Sequence, residues 1–257
     1  MNLILISAAE LQNADTVVLQ DRRSEHIVNV LRCRLGDEVR VGQIDGPLGT
    51  GRIVEIAAGK AARPARIVLQ VTIKEPPPPA PGIDLILALP RPIMLKRVLS
   101  QAATLGVERI FLIKANRVEK SFFDTSLLQE ENYRAYLLQG LEQAVATLVP
   151  AVQVYKRFRP FMEDVLPTIL PDGGLGLLAH PIADPLFQVV RAAPAAGRLL
   201  LAVGPEGGWV DFEIDKFKEL GFKLFSLGPR ILRVDTAVTA LISQLWLLRQ
   251  IFSEFSP

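Results

Sequence analysis

The sequence predicts an α/β protein in two domains: a small β-rich one, then a larger one built on a parallel sheet. Three observations carry this expectation. Residues 1–74 break into short runs of β-branched and aliphatic residues, a proline run from Glu75 to Gly82 interrupts the chain, and from Ile83 onward apolar strand-like runs alternate with helical patterns. Four consecutive prolines cannot donate to a sheet and favour an extended, semi-rigid geometry, so residues 75–82 read as a linker between domains 1–74 and 83–257.

In the first domain the strand candidates are Leu3–Ile6, Thr16–Leu19, Glu38–Gln43, Gly51–Ala57 and Ala65–Ile73, with Asp45-Gly46 and Leu48-Gly49 as turns. One short helix is expected between them, capped by Ser24, with Ile27, Val28, Val30 and Leu31 facing the core. Together these suggest a small β-barrel.

In the second domain Ile83–Leu89 is a continuous apolar run, and Pro92–Leu105 is helical with Leu95, Val98, Leu99 and Ala102 on one face and Gly106 closing it. Further strands are expected at Arg109–Ile113, Val152–Tyr155, Leu175–Ala179, Leu199–Val203 and Phe222–Leu227. Helices are expected at Leu127–Leu148, Phe158–Leu170, Pro185–Arg191, Asp211–Leu220 and Thr236–Phe255. Alternation of this kind indicates a parallel sheet covered on both faces, whose ligands bind at the carboxyl ends of strands. Those ends carry His180-Pro181, Gly204-Pro205 and Gly228-Pro229, three loops suited to a bound small molecule.

The 257-residue chain is 49% hydrophobic and 22% charged, which is a globular composition, and its net charge of +2 announces no nucleic-acid partner in bulk. Arginines do cluster locally, with Arg22, Arg23, Arg32, Arg34 and Arg40 interleaved among acids. One cysteine and two histidines make a zinc centre improbable. There is no G-x-G-x-x-G, no P-loop and no G-x-S-x-G. The apolar Met1–Ser7 lacks the basic start of a secretory signal, so a cytoplasmic location is expected. Polar positions at Ser243, Gln244, Arg249 and Gln250 make Thr236–Phe255 a buried or dimer-forming helix rather than a membrane span, with Ala240, Leu241, Leu245, Leu248 and Phe252 on its apolar face.

G-P-E-G-G at Gly204–Gly208 with Glu213 downstream, followed by L-G-P-R-I-L-R-V-D-T-A at Leu227–Ala237, resembles the signature of the bacterial small-subunit rRNA uridine N3-methyltransferases of the SPOUT class. The likeness extends to Leu105-Gly106-Val107, Glu142-Gln143 with Pro150, and His26 through Val30-Leu31-Arg32 and Gly36-Asp37. It implies a PUA-like RNA-binding barrel, a C-terminal trefoil knot that binds S-adenosyl-L-methionine, a 16S rRNA substrate and a homodimer packed through the C-terminal domain. The chain departs from the family at Thr104 and Ala146, where a glutamate and an arginine are usual, and at Asp235 in place of glutamate. Two alternatives stay open: methylation of another RNA base or of tRNA, and a non-catalytic RNA-binding assembly protein.

On this resemblance Arg233 is the leading catalytic candidate, a cation for charge developing on the uracil carbonyl oxygens, with Arg230 behind it. Glu206 is a candidate proton acceptor or loop brace. Asp235 is expected to cap the last helix while facing the ligand. Cofactor contacts are expected from Leu178, Ala179, His180, Val203, Gly204, Gly207, Leu227, Gly228, Ile231 and Leu232, largely through backbone groups. Trp209 is expected to pack on the core. Phosphate contacts are expected from Arg22, Arg23, His26, Arg32 and Arg34.

Overall fold

The computed structural model describes residues 2–13, 15–57, 59, 64–170, 173–191 and 197–254. Met1, the expected helix end at Phe255 and the side chain of Phe252 lie outside the described residues. The chain forms two units. One comprises Met1–Pro79 together with Leu138–Val149, and the other Ala80–Leu137 with Pro150–Pro257.

The first unit holds β1 (Ile4–Ile6), β2 (Leu11–Gln12), β3 (Thr16–Leu19), α1 (Arg22–Glu25), β4 (Glu38–Gln43), β5 (Leu48–Ala57) and β6 (Arg66–Glu75). Its strands make one sheet in the order β1-β4-β5-β6-β3-β2, antiparallel except where β1 runs parallel to β4. Every second residue of these strands faces inward, so Ile4, Ile6, Val17, Leu19, Val39, Val41, Ile67, Leu69 and Val71 form a single core with Ile27. Leu48 and Gly49 belong to β5 rather than to a turn; the reversal is made by Asp45, at φ 57°, and Gly46.

The short helix also differs from its expectation. Its N-cap is Asp21, whose carboxylate accepts the Arg23 N–H at 2.8 Å, and Ser24 is buried inside it. After Glu25 the chain continues as a π-helical turn, His26–Val30. A π turn takes more residues than an α turn, which rotates the following side chains away from the face predicted by α spacing. Ile27 therefore stays in the core while Val30 and Leu31 are 64% and 45% exposed.

The C-terminal half of α3 (Glu130–Ala144) and the segment after it belong to this first unit. Glu142 is buried and accepts both guanidinium branches of Arg22, at 2.6 and 3.0 Å, while its carbonyl accepts the N–H groups of Asn2 and Leu3. Thr147, fully buried, donates to the Gly46 carbonyl at 2.6 Å.

The second unit is organised on six parallel strands in the order β12-β10-β11-β7-β8-β9. These are β7 (Ile83–Ala88), β8 (Arg109–Ile113), β9 (Ala151–Tyr155), β10 (Leu175–Ala179), β11 (Leu199–Val203) and β12 (Lys223–Phe225). All six residues of β7 and all five of β11 are buried, as strands covered on both faces require. The helices are α2 (Pro92–Thr104), the first half of α3, α4 (Phe158–Pro160) running through a π turn into α5 (Leu166–Ile169), α6 (Leu186–Arg191), α7 (Asp211–Glu219) and α8 (Val234–Glu254). The chain lays down β7, β8 and β9 in one direction and returns for β10 to β12 on the other side of β7. The sheet therefore reverses its winding beside β11, the position where such sheets open a crevice at their carboxyl ends. At the opposite end, fully buried Asp84 is neutralised by Arg109 and Arg198 at 2.6 and 3.0 Å.

Candidate active site

Because β12, β10 and β11 are adjacent and parallel, the loops that leave them emerge side by side. Backbone hydrogen bonds tie the loops together: His180 N–H donates to Phe225 O at 2.9 Å, and Ser226 N–H to Asp184 O at 2.8 Å. The Ser226 hydroxyl accepts the Gly228 N–H at 3.0 Å. Between the loops lies a cavity of about 450 Å³, within the range of small-molecule sites.

Its wall includes Ala179, His180, Val203, Gly204, Glu206, Gly207, Leu227, Gly228, Arg230, Ile231 and Leu232. Leu178 is not among the wall residues; it is buried in β10. His180 is occupied locally, with Nδ1 accepting the Ile182 N–H at 3.2 Å. Glu206 is exposed at the wall. Arg233 and Asp235 are not among the wall residues. The helix α8 starts two residues earlier than expected: Arg233 O accepts the Ala237 N–H at 2.7 Å, which makes Arg233 the cap and puts Asp235 inside the first turn. There a carboxylate still complements the helix dipole, and Arg97 of α2 stands 3.6 Å from it.

Arg117 and Trp209 also line the wall, outside the sequence-based cofactor set. Arg117, in the loop after β8, donates to the Gly207 carbonyl. Nothing in its local sequence marks it, because it reaches the site only through the pairing of β8 beside β7. Trp209 packs on the core as expected, edge-on to Phe217 with centroids 5.2 Å apart, yet it also lines the cavity, and its buried Nε1 has no hydrogen-bond partner among the described residues. Gly204 lies against the pyrrole edge of that indole, where a Cβ would come within 3.0 Å of Nε1.

In the first unit the expected phosphate-binding residues separate. Arg23 is enclosed, with Glu10 and Asp21 as ion-pair partners and the Leu5 carbonyl as acceptor. Arg22 is held by Glu142, whose hydrogen bonds raise the Arg22 pKa against the opposing effect of burial. Arg32 and Arg34 are exposed and enter no ion pair among the described residues; His26 begins the π turn. Among the described residues no group of three His, Cys, Asp or Glu side chains gathers as a metal site, and no helix is long and apolar enough to cross a membrane.

A family model described as "RNA methyltransferase domain" matches residues 77–246, about two thirds of the chain, and one described as "RNA methyltransferase PUA domain" matches residues 19–62. The chain belongs to the RNA methyltransferase family. The ribosomal RNA small subunit methyltransferase E of Treponema pallidum is 30% identical over 241 residues, covering 93% of this chain and 88% of that protein. Two solved structures share the fold of this family member. The Neisseria gonorrhoeae ribosomal RNA small subunit methyltransferase E bound to S-adenosyl methionine has a TM-score of 0.71 at 24% identity, over 96% of this chain and 98% of that one. A putative methyltransferase from Legionella pneumophila with bound cofactor SAM has a TM-score of 0.73 at 22% identity, over 96% and 97%.

Proposed function

We propose that the protein is an enzyme that methylates N3 of a uridine in small-subunit (16S) rRNA, with S-adenosyl-L-methionine as methyl donor. The observation that carries the reading is the cavity at the carboxyl ends of β10, β11 and β12, in a chain of this family. Its walls fit an adenosyl group. They offer backbone N–H and C=O groups at three strand ends, apolar faces at Val203, Leu227, Ile231 and Leu232, and one buried donor at Trp209 that lacks an acceptor among the described residues.

When bound, the cofactor supplies an electrophilic methyl on a sulfonium, and no metal is needed. The chain's own residues then have to hold the uracil ring in line, remove the N3 proton and stabilise charge on the flanking oxygens. Arg233, exposed and adjacent to the wall residue Leu232, supplies that cation in this reading, and Glu206 at the wall is the candidate proton acceptor. Asp235, paired with Arg97, braces the start of α8. Arg32, Arg34 and His26 contact the RNA backbone, whereas Arg23 serves the fold. Exposed Lys156, Arg157 and Arg159 follow β9 at the same end of the sheet as the cavity and add positive charge there.

The reading includes the trefoil knot that the resemblance implies, a cytoplasmic location and a homodimer. Trp246, Leu247 and Ile251 are 39%, 55% and 36% exposed along α8, an apolar strip that a second copy would cover. Sedimentation at micromolar concentration reads out the dimer.

The deciding experiment is mass-spectrometric mapping of rRNA and tRNA from a deletion strain. Loss of one N3-methyluridine from 16S rRNA, restored by the purified enzyme with S-adenosyl-L-methionine, is expected. Loss of a different modified base reassigns the substrate, and no change in any RNA leaves the non-catalytic alternative.

A further inference from the structure

The two tryptophans differ sharply in setting. Trp246 is partly exposed on α8, whereas Trp209 is 5% exposed between the Gly204–Gly208 loop and α7. The Trp209 ring is clamped by Phe217 on one side and by Gly204 along its pyrrole edge. Among the described residues its Nε1 is the one buried side-chain nitrogen or oxygen with no hydrogen-bond partner. Burying a donor without an acceptor costs its hydration and returns nothing. Packing on Phe217 needs an aromatic ring but not the N–H, so a purely structural role accounts for the ring alone. The orphan donor also lies in a residue of the cavity wall, not in the deep core.

We propose that the indole N–H of Trp209 is a ligand-binding donor, hydrogen-bonded to an acceptor atom of the adenosyl methyl donor seated in this cavity. The inference rests on the cofactor reading above. An indole N–H donates and never accepts, so it selects a ring nitrogen, a hydroxyl oxygen or a carboxylate and rejects a group that can only donate. Its two side-chain torsions are already fixed by packing, so little conformational freedom remains to be lost on binding.

The test uses the full-length protein labelled with ¹⁵N at the indole nitrogens and titrated with S-adenosyl-L-methionine, with calorimetry on the same samples. The two indole signals are told apart by solvent exchange, slow for buried Trp209 and fast for exposed Trp246. Binding is expected to move the Trp209 signal downfield and slow its exchange further, with the Trp246 signal unmoved. The Trp209→Phe variant is expected to bind roughly 3- to 10-fold more weakly, the loss of one neutral hydrogen bond. Methylthioadenosine, which lacks the amino-acid end, locates the acceptor: the same shift puts it on the nucleoside, and no shift puts it on the amino-acid end. Calorimetric binding to the wild type with an unmoved Trp209 signal overturns the proposal without touching the cofactor reading. Absence of any calorimetric binding overturns both.

Discussion

Glu213 accepts the backbone N–H of Asn116 at 2.6 Å from a position that is only 2% exposed, while its second oxygen accepts the Val210 N–H at 3.0 Å. One buried carboxylate therefore joins the loop after β8 to the start of α7. Its neighbours complete the brace, since Arg117, next to Asn116, donates to Gly207 in the cavity wall. Replacing Glu213 with alanine strands two N–H groups and should destabilise the protein by about 2–3 kcal/mol. A melting midpoint lowered by roughly 4–12 °C in calorimetry is the expected reading. Glu213→Gln, which keeps one acceptor, should recover part of the loss. A variant that melts like the wild type would show that the bridge contributes nothing.

Much of this arrangement is legible in the sequence because it is local. The Gly-Pro loops, the alternation of strand and helix, and the proline run at 75–82 all act within a few residues, and periodicity reports them. Glu213 was conspicuous only as a downstream acid, since its partner at Asn116 is ninety-odd positions away and is brought near by strand order. Arg23 belongs to a visible arginine cluster with Asp21 beside it, but its second acidic partner, Glu10, lies thirteen positions earlier in the chain. The assignment of Leu138–Val149 to the first unit was likewise invisible, because α3 reads as one continuous helix and only the Arg22–Glu142 and Thr147–Gly46 contacts reveal where its second half packs.

Gly204 and Gly228 should fail for different reasons when changed to alanine. At Gly204 the added methyl meets three atoms of the Trp209 indole at 3.0–3.2 Å, so the ring must shift and the cavity wall with it. At Gly228 nothing lies within 4 Å, but φ is +119°, a conformation that costs an alanine about 1–3 kcal/mol. Gly204→Ala is therefore expected to weaken cofactor binding and alter Trp209 fluorescence. Gly228→Ala should lower stability with the fluorescence of Trp209 unchanged. Identical fluorescence changes in both would contradict the distinction.

Acid should loosen the first unit through Arg23. Burial by itself pushes the Glu10 and Asp21 carboxyls up, but the hydrogen bonds and charge of Arg23, with the Ser7 N–H on Glu10, together hold both below their ordinary values of 4.5 and 3.8. A carboxyl depressed in the folded state stabilises fully above its unfolded pKa, and that stability is lost as pH falls through the folded value. The contribution should thus be complete above about pH 5 and decline progressively below pH 4. Arg23→Met should reduce stability at pH 7 and flatten this part of the acid limb, which urea titrations between pH 3 and 7 can follow. A parallel, merely offset pH profile would mean that other carboxylates govern the limb.

Arg233 caps α8 with its backbone, so its side chain is free of a structural duty among the described contacts, and it is exposed beside the wall residue Leu232. If its guanidinium meets charge that develops only during methyl transfer, alanine should lower kcat by about 10²-fold. Cofactor affinity should stay within roughly threefold, under about 1 kcal/mol, because the ground-state ligand does not carry that charge. Arg230 lies in the wall itself, and Arg230→Ala should show the reverse pattern, with weaker cofactor binding and a smaller fall in kcat. Single-turnover rates at saturating S-adenosyl-L-methionine, measured on rRNA with calorimetric Kd values for each variant, separate the two. Retained turnover in Arg233→Ala with collapse in Arg230→Ala would transfer the catalytic assignment from one arginine to the other, three positions earlier on the same loop.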